Sequence, residues 1–304
     1  MLAAALILDA LVGEPERLWS RLAHPVVLFG RLVAWLDRRL NNGPERRRMG
    51  VLAVIALLLA TLPLAFLLAA LPFGWVLEIL GAAVLLAQRS LVEHVGAVAA
   101  ALERSLDEGR AAVARIVGRD PRSLDRAGVA RAAIESAAEN FSDGVVAPAF
   151  WFLLGGLPGI VLYKAVNTAD SMIGHRDARY LEFGRAAARL DDLLNWIPAR
   201  LAGLLICLAA PARLPAALRT MWRDARLHRS PNAGWPEAAM AASLGLALAG
   251  PRIYGGVITD DPYLNAGASR DATPADIRRA VALVWRAWGL LLALAVLFGL
   301  VALG

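Results

Sequence analysis

One cysteine, one lysine and four histidines are spread over 304 residues. The lone Cys207 sits in the apolar run Leu201 to Ala212 and can form no internal disulfide. It reads as a small buried hydrophobe rather than a reactive thiol, and a disulfide-framed domain is excluded. Cys and His nowhere approach metal-ligand spacing. Charge is scarce too: 19% of residues are Asp, Glu, Lys or Arg, against about 25% in ordinary soluble domains. Hydrophobic residues make up 58% and mean hydropathy is +0.54, which excludes a disordered or collagenous chain. An integral membrane protein remains, or an unusually apolar helical one.

The net charge is +6, and Lys164 is the one basic residue that is not arginine. The arginines are scattered between apolar segments, with no basic stripe carrying aromatics for base stacking, so nucleic acid is not an expected partner. No G-x-x-x-x-G-K-[ST], G-x-S-x-G or H-E-x-x-H run occurs, so a nucleotide site would need another design.

Charge-free windows locate the crossings of the lipid bilayer. Met49 to Leu77 carries no charge; about 20 apolar residues cross a bilayer, so Gly50 to Leu71 is a span. Pro72-Phe73-Gly74 is a turn, and Trp75 to Gln88, interrupted by Glu78, is the return limb of a hairpin. Gly144 to Tyr163 is a third window. Ala280 to Leu303 is a last span whose Arg286 must face protein or the interface. Leu201 to Ala212 and Ala238 to Pro251 are shorter, either partial spans or buried helices. The N-terminal run to Asp9 lacks a basic n-region and an A-x-A site, and reads as a short embedded helix rather than a cleaved signal peptide. Arg38, Arg39, Arg46, Arg47 and Arg48 precede the first span, which assigns that end to the cytoplasm. The hairpin returns the chain there, so Arg89 to Asp143 is cytoplasmic, with Leu91, Val95, Val98 and Leu102 marking an amphipathic helix packed by that stripe. The expected fold is all-α: a polytopic integral membrane protein with roughly four to six membrane-embedded helical segments and a helical cytoplasmic polar region. Residues 1–304 form a single integral membrane domain, divided into an N-terminal embedded or amphipathic segment (1–48), a helical hairpin (49–88), a cytoplasmic helical region (89–143) and a motif-rich membrane region with the C-terminal span (144–304).

Polar residues collect beside these windows. Glu135 and Glu139, four apart, share a helix face; Asp143 follows. Such a pair calls for Mg²⁺, an arginine or water between its members, and hard cations take carboxylate oxygens. A solvated face is the plainer reading. After the third window come Lys164, Asn167, Asp170, Ser171, His175 and Arg176, with Asn167, Asp170 and Ser171 on one helix face. Polar groups flanking a membrane segment mark a site. A window that crossed would put the two clusters on opposite sides. Gly155-Gly156-Leu157-Pro158-Gly159 predicts instead a re-entrant hairpin from Val145 to Val166, a break tolerated when buried in protein or lining a cavity. A third cluster holds Arg189, Asp191, Asp192, Asn195 and the run Trp196-Ile197-Pro198-Ala199-Arg200. A fourth runs from His228 to Glu237. There Ser230-Pro231-Asn232 turns into a helix starting near Pro236, and is either a capped loop or an anion site.

These runs resemble the CobD/CbiB membrane proteins of cobalamin biosynthesis nearly end to end. The resemblance rests on Gly13-Glu14-Pro15, His24-Pro25-Val26-Val27-Leu28-Phe29-Gly30-Arg31, Arg89-Ser90-Leu91 with His94, and Ile116-Val117-Gly118-Arg119-Asp120. It is carried most strongly by the runs Glu135 to Pro148, Asn167 to Met172, Ala188 to Arg200 and Ser230 to Met240, and later by Gly250 to Gly256. Glu14 stands where the family usually has Asp, Pro121 where Thr is common, and Phe141 where a small polar residue is usual. None of these removes a charged candidate.

The resemblance implies an amide-forming ligase, adenosylcobinamide-phosphate synthase. It would join a corrin side-chain carboxylate of adenosylcobyric acid to aminopropanol or its O-phosphate, with Mg-ATP. The corrinoid is a substrate, not a cofactor. Carboxylate activation, commonly as an acyl phosphate, needs Mg²⁺ on the nucleotide phosphates and a base to free the amine. Glu139, Asp143 and Asp170 are the candidates for Mg²⁺ or amine contacts, with Glu135 the alternative base. Arg119 and Arg189 are candidates for a phosphate or corrin carboxylate. Asn167, Asn195, Ser230 and Asn232 would meet the amide-bearing corrin rim. Lys164 contacts phosphate or snorkels. His24, Arg31, Arg89, Asn140, Ser142, Ser171, Asp191 and Asp192 complete the substrate-binding set. The bilayer and other enzymes of the pathway are the expected partners, and the protein would be multi-pass in the cell (inner or plasma) membrane with its active face in the cytoplasm. Two rival readings stand: a membrane corrinoid-handling or transport protein, since charges beside a broken segment also describe transport paths, and an AmpE-like membrane sensor without catalysis. The two halves show no internal repeat of the kind transporters usually carry.

Overall fold

The computed structural model describes residues 1–118, 121–254 and 257–301. Its helices are α1 (Leu2–Val12), α2 (Glu16–Trp19), α3 (Pro25–Leu40), α4 (Arg46–Ala70), α5 (Gly74–Leu85), α6 (Gln88–Arg104), α7 (Leu106–Val113), α8 (Arg126–Phe141), α9 (Ala147–Ile173), α10 (Arg185–Leu194), α11 (Trp196–Leu208), α12 (Leu214–Asp224), α13 (Gly234–Leu244) and α14 (Pro274–Val301). Among the described residues, four stretches are long and apolar enough to cross a membrane: Arg46–Ala70, Gly74–Arg104, Arg126–Ile173 and Pro274–Val301. A fifth is added if Trp196–Leu208 and Pro211–Leu227, bent by 99°, count as one. The chain is therefore an all-α, polytopic membrane protein. Two compact units interleave along it, one of Met1–Ala87 with Ala147–Asn195, the other of Gln88–Val146 with Trp196–Gly304.

In the first unit, α4 leaves Leu52, Ile55, Leu59 and Phe66 exposed and buries Ala53, Val54 and Leu57. The buried face packs with Ala165, Ala169 and Phe183. An apolar exposed flank on a helix of this length fits lipid. The hairpin turn expected at Pro72-Phe73-Gly74 is present, with Phe73 in the left-handed region (φ 62°). A side chain at 74 would stand 2.3 Å from the Ala69 carbonyl oxygen, so only glycine fits there.

The breaker in the third window also acts as expected. Gly155 (φ −135°) and Gly156 (φ 57°) leave helical geometry inside α9. In a straight helix Trp151 and Gly159 would lie about 12 Å apart, yet a Cβ on Gly159 would stand 2.2 Å from the Trp151 carbonyl oxygen. Trp151 Nε1 donates to the Leu194 carbonyl (3.0 Å) and Tyr163 Oη donates to the Asn195 side chain (3.0 Å). Two residues that a straight helix would hold about 18 Å apart are thus tied to consecutive positions, and the two limbs fold back beside one another.

In the second unit the stripe Leu91, Val95, Val98 and Leu102 of α6 is buried. Every residue of α13 is buried, and the chain then turns at Gly245 into short strands. β1 (Leu248–Ala249) pairs antiparallel with β4 (Tyr263–Leu264), and β2 (Arg252–Tyr254) with β3 (Val257–Thr259). Of Ala238 to Pro251, the part up to Leu244 is a buried helix, and the rest leaves the helix at Gly245 for these strands. The strands were not expected; two- and three-residue strands leave too short a period-2 pattern to read.

Candidate functional site

In the first unit, the second limb of α9 is buried except for a stripe that includes Lys164, Asn167, Asp170 and Ser171. The hydroxyls of Thr168 and Ser171 bond back to the carbonyls of Lys164 (2.7 Å) and Asn167 (2.9 Å). Asn167 Nδ2 donates to Asp191 Oδ1 at 3.2 Å, and Asn195 Nδ2 donates to Asp191 Oδ2 at 2.9 Å. With Tyr163 on Asn195 this is a continuous buried network joining two clusters that are separate in sequence. Asp191 is 8% exposed. Burial, reinforced by the negative charge of Asp170, pushes its carboxyl up to about 7 against the two asparagine donors. Burial also raises Asp192, opposed by Arg176. Arg189 is exposed.

A cavity of about 550 Å³ in the same unit is lined by Glu14, Trp19, His24, Arg31, Lys164 and the segment 84–87, among others. Its size suits a small ligand, and Arg31 and Lys164 favour an anion. His24 is committed elsewhere. Its Nδ1 accepts the Val26 N–H (3.2 Å), capping α3, so Nε2 carries the proton toward the Val84 carbonyl (3.2 Å). Trp19 packs edge-on against the ring at 4.5 Å. Burial is the chief cause holding the imidazole below its ordinary value. His24 therefore reaches a ligand through its ring, not through a free nitrogen.

In the second unit, Asp125 caps α8 by accepting the Gly128 N–H (2.6 Å). A π turn, Ser142–Val146, then carries Asp143; such turns concentrate at functional sites. Glu135 is buried, and its carboxylate accepts the Ala249 N–H at 2.9 Å. Glu139 and Asn140 are exposed, and Asp143 is half-buried. Asn140 Nδ2 donates to the carbonyl and hydroxyl oxygens of Ser136, whose hydroxyl donates to the Ile116 carbonyl at 2.7 Å. Ser142 is buried, with no partner for its hydroxyl among the described residues. Arg89 pairs with Glu93 one turn on. Arg119 lies outside the described residues. Among the described residues, no group of three or more His, Cys, Asp or Glu is gathered closely enough to hold a metal ion. Glu139, Asp143 and Asp170 are thus no ready-made cage. Mg²⁺ rarely needs one, since it usually takes one or two carboxylates plus substrate phosphates and water.

The turn before α13 satisfies itself. Ser230 Oγ accepts the N–H groups of Asn232 and Ala233, each at 3.2 Å, so the capped-loop alternative holds for those donors. Asn232 in turn accepts from Arg200 (3.4 Å). Arg200 belongs to the third sequence cluster but carries no expected role there. Its guanidinium lies 4.4 Å from the Trp196 ring and 4.5 Å from the Trp235 ring, an aromatic clamp on a cation. Trp196 and Arg200 at i, i+4 were readable; Trp235, far along the chain, was not.

A family model described as CobD/Cbib protein matches residues 2–284. A protein of Brucella anthropi named "Cobalamin biosynthesis protein CobD" is 54% identical over 318 aligned positions, covering 100% of this chain and 97% of that one. Proteins of the same name from Brucella suis (100% and 97% covered) and Rhodobacter capsulatus (94% and 93%) are each 50% identical. No solved structure matches. On a match that spans all but the last residues, the chain belongs to the CobD/CbiB family.

Proposed function

We propose that the chain acts in cobalamin biosynthesis, joining the amine of aminopropanol or its O-phosphate to a side-chain carboxylate of adenosylcobyric acid, in the cell membrane and on its cytoplasmic face. The observation that carries this reading is Asp191. A buried carboxyl held near neutrality beside Asp170 of the partly open stripe is poised to take the proton that an amine loses on acylation. Asn167 and Asn195 orient it. Glu139 and Asp143, on either side of the start of the π turn, would hold Mg²⁺ arriving with the nucleotide; Asp170, in the first unit, is a separate candidate for a contact to metal or amine. Bound Mg-ATP would supply activation of the corrin carboxylate. Lys164 and Arg31 at the cavity would take the phosphate of the amine donor.

The test is turnover by detergent-purified protein given adenosylcobyric acid, aminopropanol phosphate and Mg-ATP, following corrinoid mass and nucleotide hydrolysis together. Product with matching ADP supports the ligase. Corrinoid binding without product, with free amine as well as phosphate, defeats it. Directional corrinoid uptake into vesicles would instead favour transport, the reading that the broken α9 keeps open.

A further inference from the structure

A cavity of about 300 Å³ opens in the second unit between the turn before α12, the end of α13 and the first half of α14. Three arginines line it, Arg213, Arg279 and Arg286, and no Asp or Glu does. Arg279 is fixed in place, paired with Asp276 at 2.6 Å and donating to the Leu244 carbonyl at 2.9 Å. Among the described residues, the Arg286 side chain meets only the Ala282 carbonyl, at 3.3 Å. The Arg213 guanidinium has no ion pair or hydrogen bond among the described residues, and Gly245 (φ 74°) leaves room for it. A second, independent feature is Ser243. It is 7% exposed, lines the cavity, and its hydroxyl has no partner among the described residues. A buried hydroxyl left unpaired is costly unless a ligand completes it.

Depth identifies the ligand class. Arg286 is the last charge before α14 runs uncharged from Ala287 onward, so the cavity stands at the level where a bilayer's headgroups meet its hydrocarbon. Ala282 and Leu283 line it too. We propose that this cavity binds a phosphate-bearing anion, the headgroup phosphodiester of an anionic phospholipid at this depth. Arg213 and Arg286 take its oxygens in bidentate contacts, Arg279 supplies a third charge and Ser243 donates a hydrogen bond. A free phosphate would use the same donors.

The full-length protein in neutral detergent is mixed with phosphatidylglycerol, phosphatidylcholine or inorganic phosphate, and ligand retention is read by native mass spectrometry beside thermal unfolding. Wild-type protein should retain phosphatidylglycerol about tenfold better than phosphatidylcholine, and the pair Arg213→Gln/Arg286→Gln should lose that preference. Ser243→Ala should weaken it without changing the lipid-free unfolding temperature. Stabilisation by inorganic phosphate that phosphatidylglycerol cannot match would make the source a free phosphate. Should the glutamine pair fail to fold, Arg213→Lys/Arg286→Lys keeps the charge but loses the fork, and should bind several-fold more weakly. Equal retention of the two lipids by wild type, or unchanged preference in the variants, overturns the proposal.

Discussion

The carboxylate of Glu78 accepts a hydrogen bond from the Leu157 backbone N–H at 3.1 Å. Glu78 is the one charge inside the otherwise apolar return limb, and Leu157 opens the second limb of the broken helix. A helix start inside a membrane protein has N–H groups that neither water nor the preceding turn can satisfy. Glu78 supplies the missing acceptor, which explains an acid where hydropathy alone disfavours one. Glu78→Ala should cost about 1–3 kcal/mol, the penalty of an unsatisfied buried donor. Glu78→Gln keeps an oxygen there and should recover most of it. Thermal unfolding in one detergent ranks the three proteins; equal loss in both variants would remove the capping role.

Gly156 and Gly155 make a matched pair at the same break. Gly156 has φ 57°, and a Cβ there would lie 2.5 Å from Glu78 Oε2, whereas a Cβ on Gly155 would meet nothing within 4 Å. Gly156→Ala should therefore destabilise by about 1–3 kcal/mol through left-handed strain and displacement of Glu78. Gly155→Ala should change stability little. The difference in unfolding temperature between the two single variants is the measurement.

Asp191 predicts a pH dependence of unusual sign. Its carboxyl is raised from an ordinary 3.8 to about 7, chiefly by burial. Between those values the folded protein holds a proton that the unfolded chain has released, so stability falls as pH rises from about 4 to about 7 and levels above. Asp191→Asn should flatten that fall. Unfolding midpoints across this window in wild type and variant decide it; a wild-type stability that rises through this range because of Asp191 would contradict the sign.

Much of this was legible because membrane helices announce themselves. The charge-free run at α4, the turn at Pro72-Phe73-Gly74 and the breaker at Gly155-Gly156 each follow from local rules about charge, proline and glycine. The sequence patterns also flagged Asn167, Asp191 and Asn195, but as two clusters. Their union depends on α9 folding back, which places Trp151 and Tyr163 against Leu194 and Asn195, a long-range fact. The same holds for Glu135. Its four-residue spacing from Glu139 left a working pair and a solvated face open, and only the return of the chain at Ala249 reveals a buried carboxylate with a different partner. Arg213, Arg279 and Arg286 lie too far apart in sequence to read as one cluster.

Glu135 and Glu139 should consequently separate in their effects. Glu135 is buried, and its carboxylate accepts the N–H of Ala249, a residue held at φ 60°. Removing that acceptor leaves a strained residue and a buried donor unsatisfied, so Glu135→Ala should cost about 1–3 kcal/mol of stability. Glu135→Gln retains an oxygen and should keep most of both stability and turnover. Glu139 is exposed, so Glu139→Gln should leave the unfolding temperature unchanged. If it contacts Mg²⁺ or the amine, amide synthesis should fall by about 10²-fold or more. Asp143→Asn and Asp170→Asn belong in the same series. Full synthesis by all three amide variants would remove the metal and amine roles from these carboxylates. Loss of turnover in Glu135→Gln at unchanged stability would return the base to Glu135.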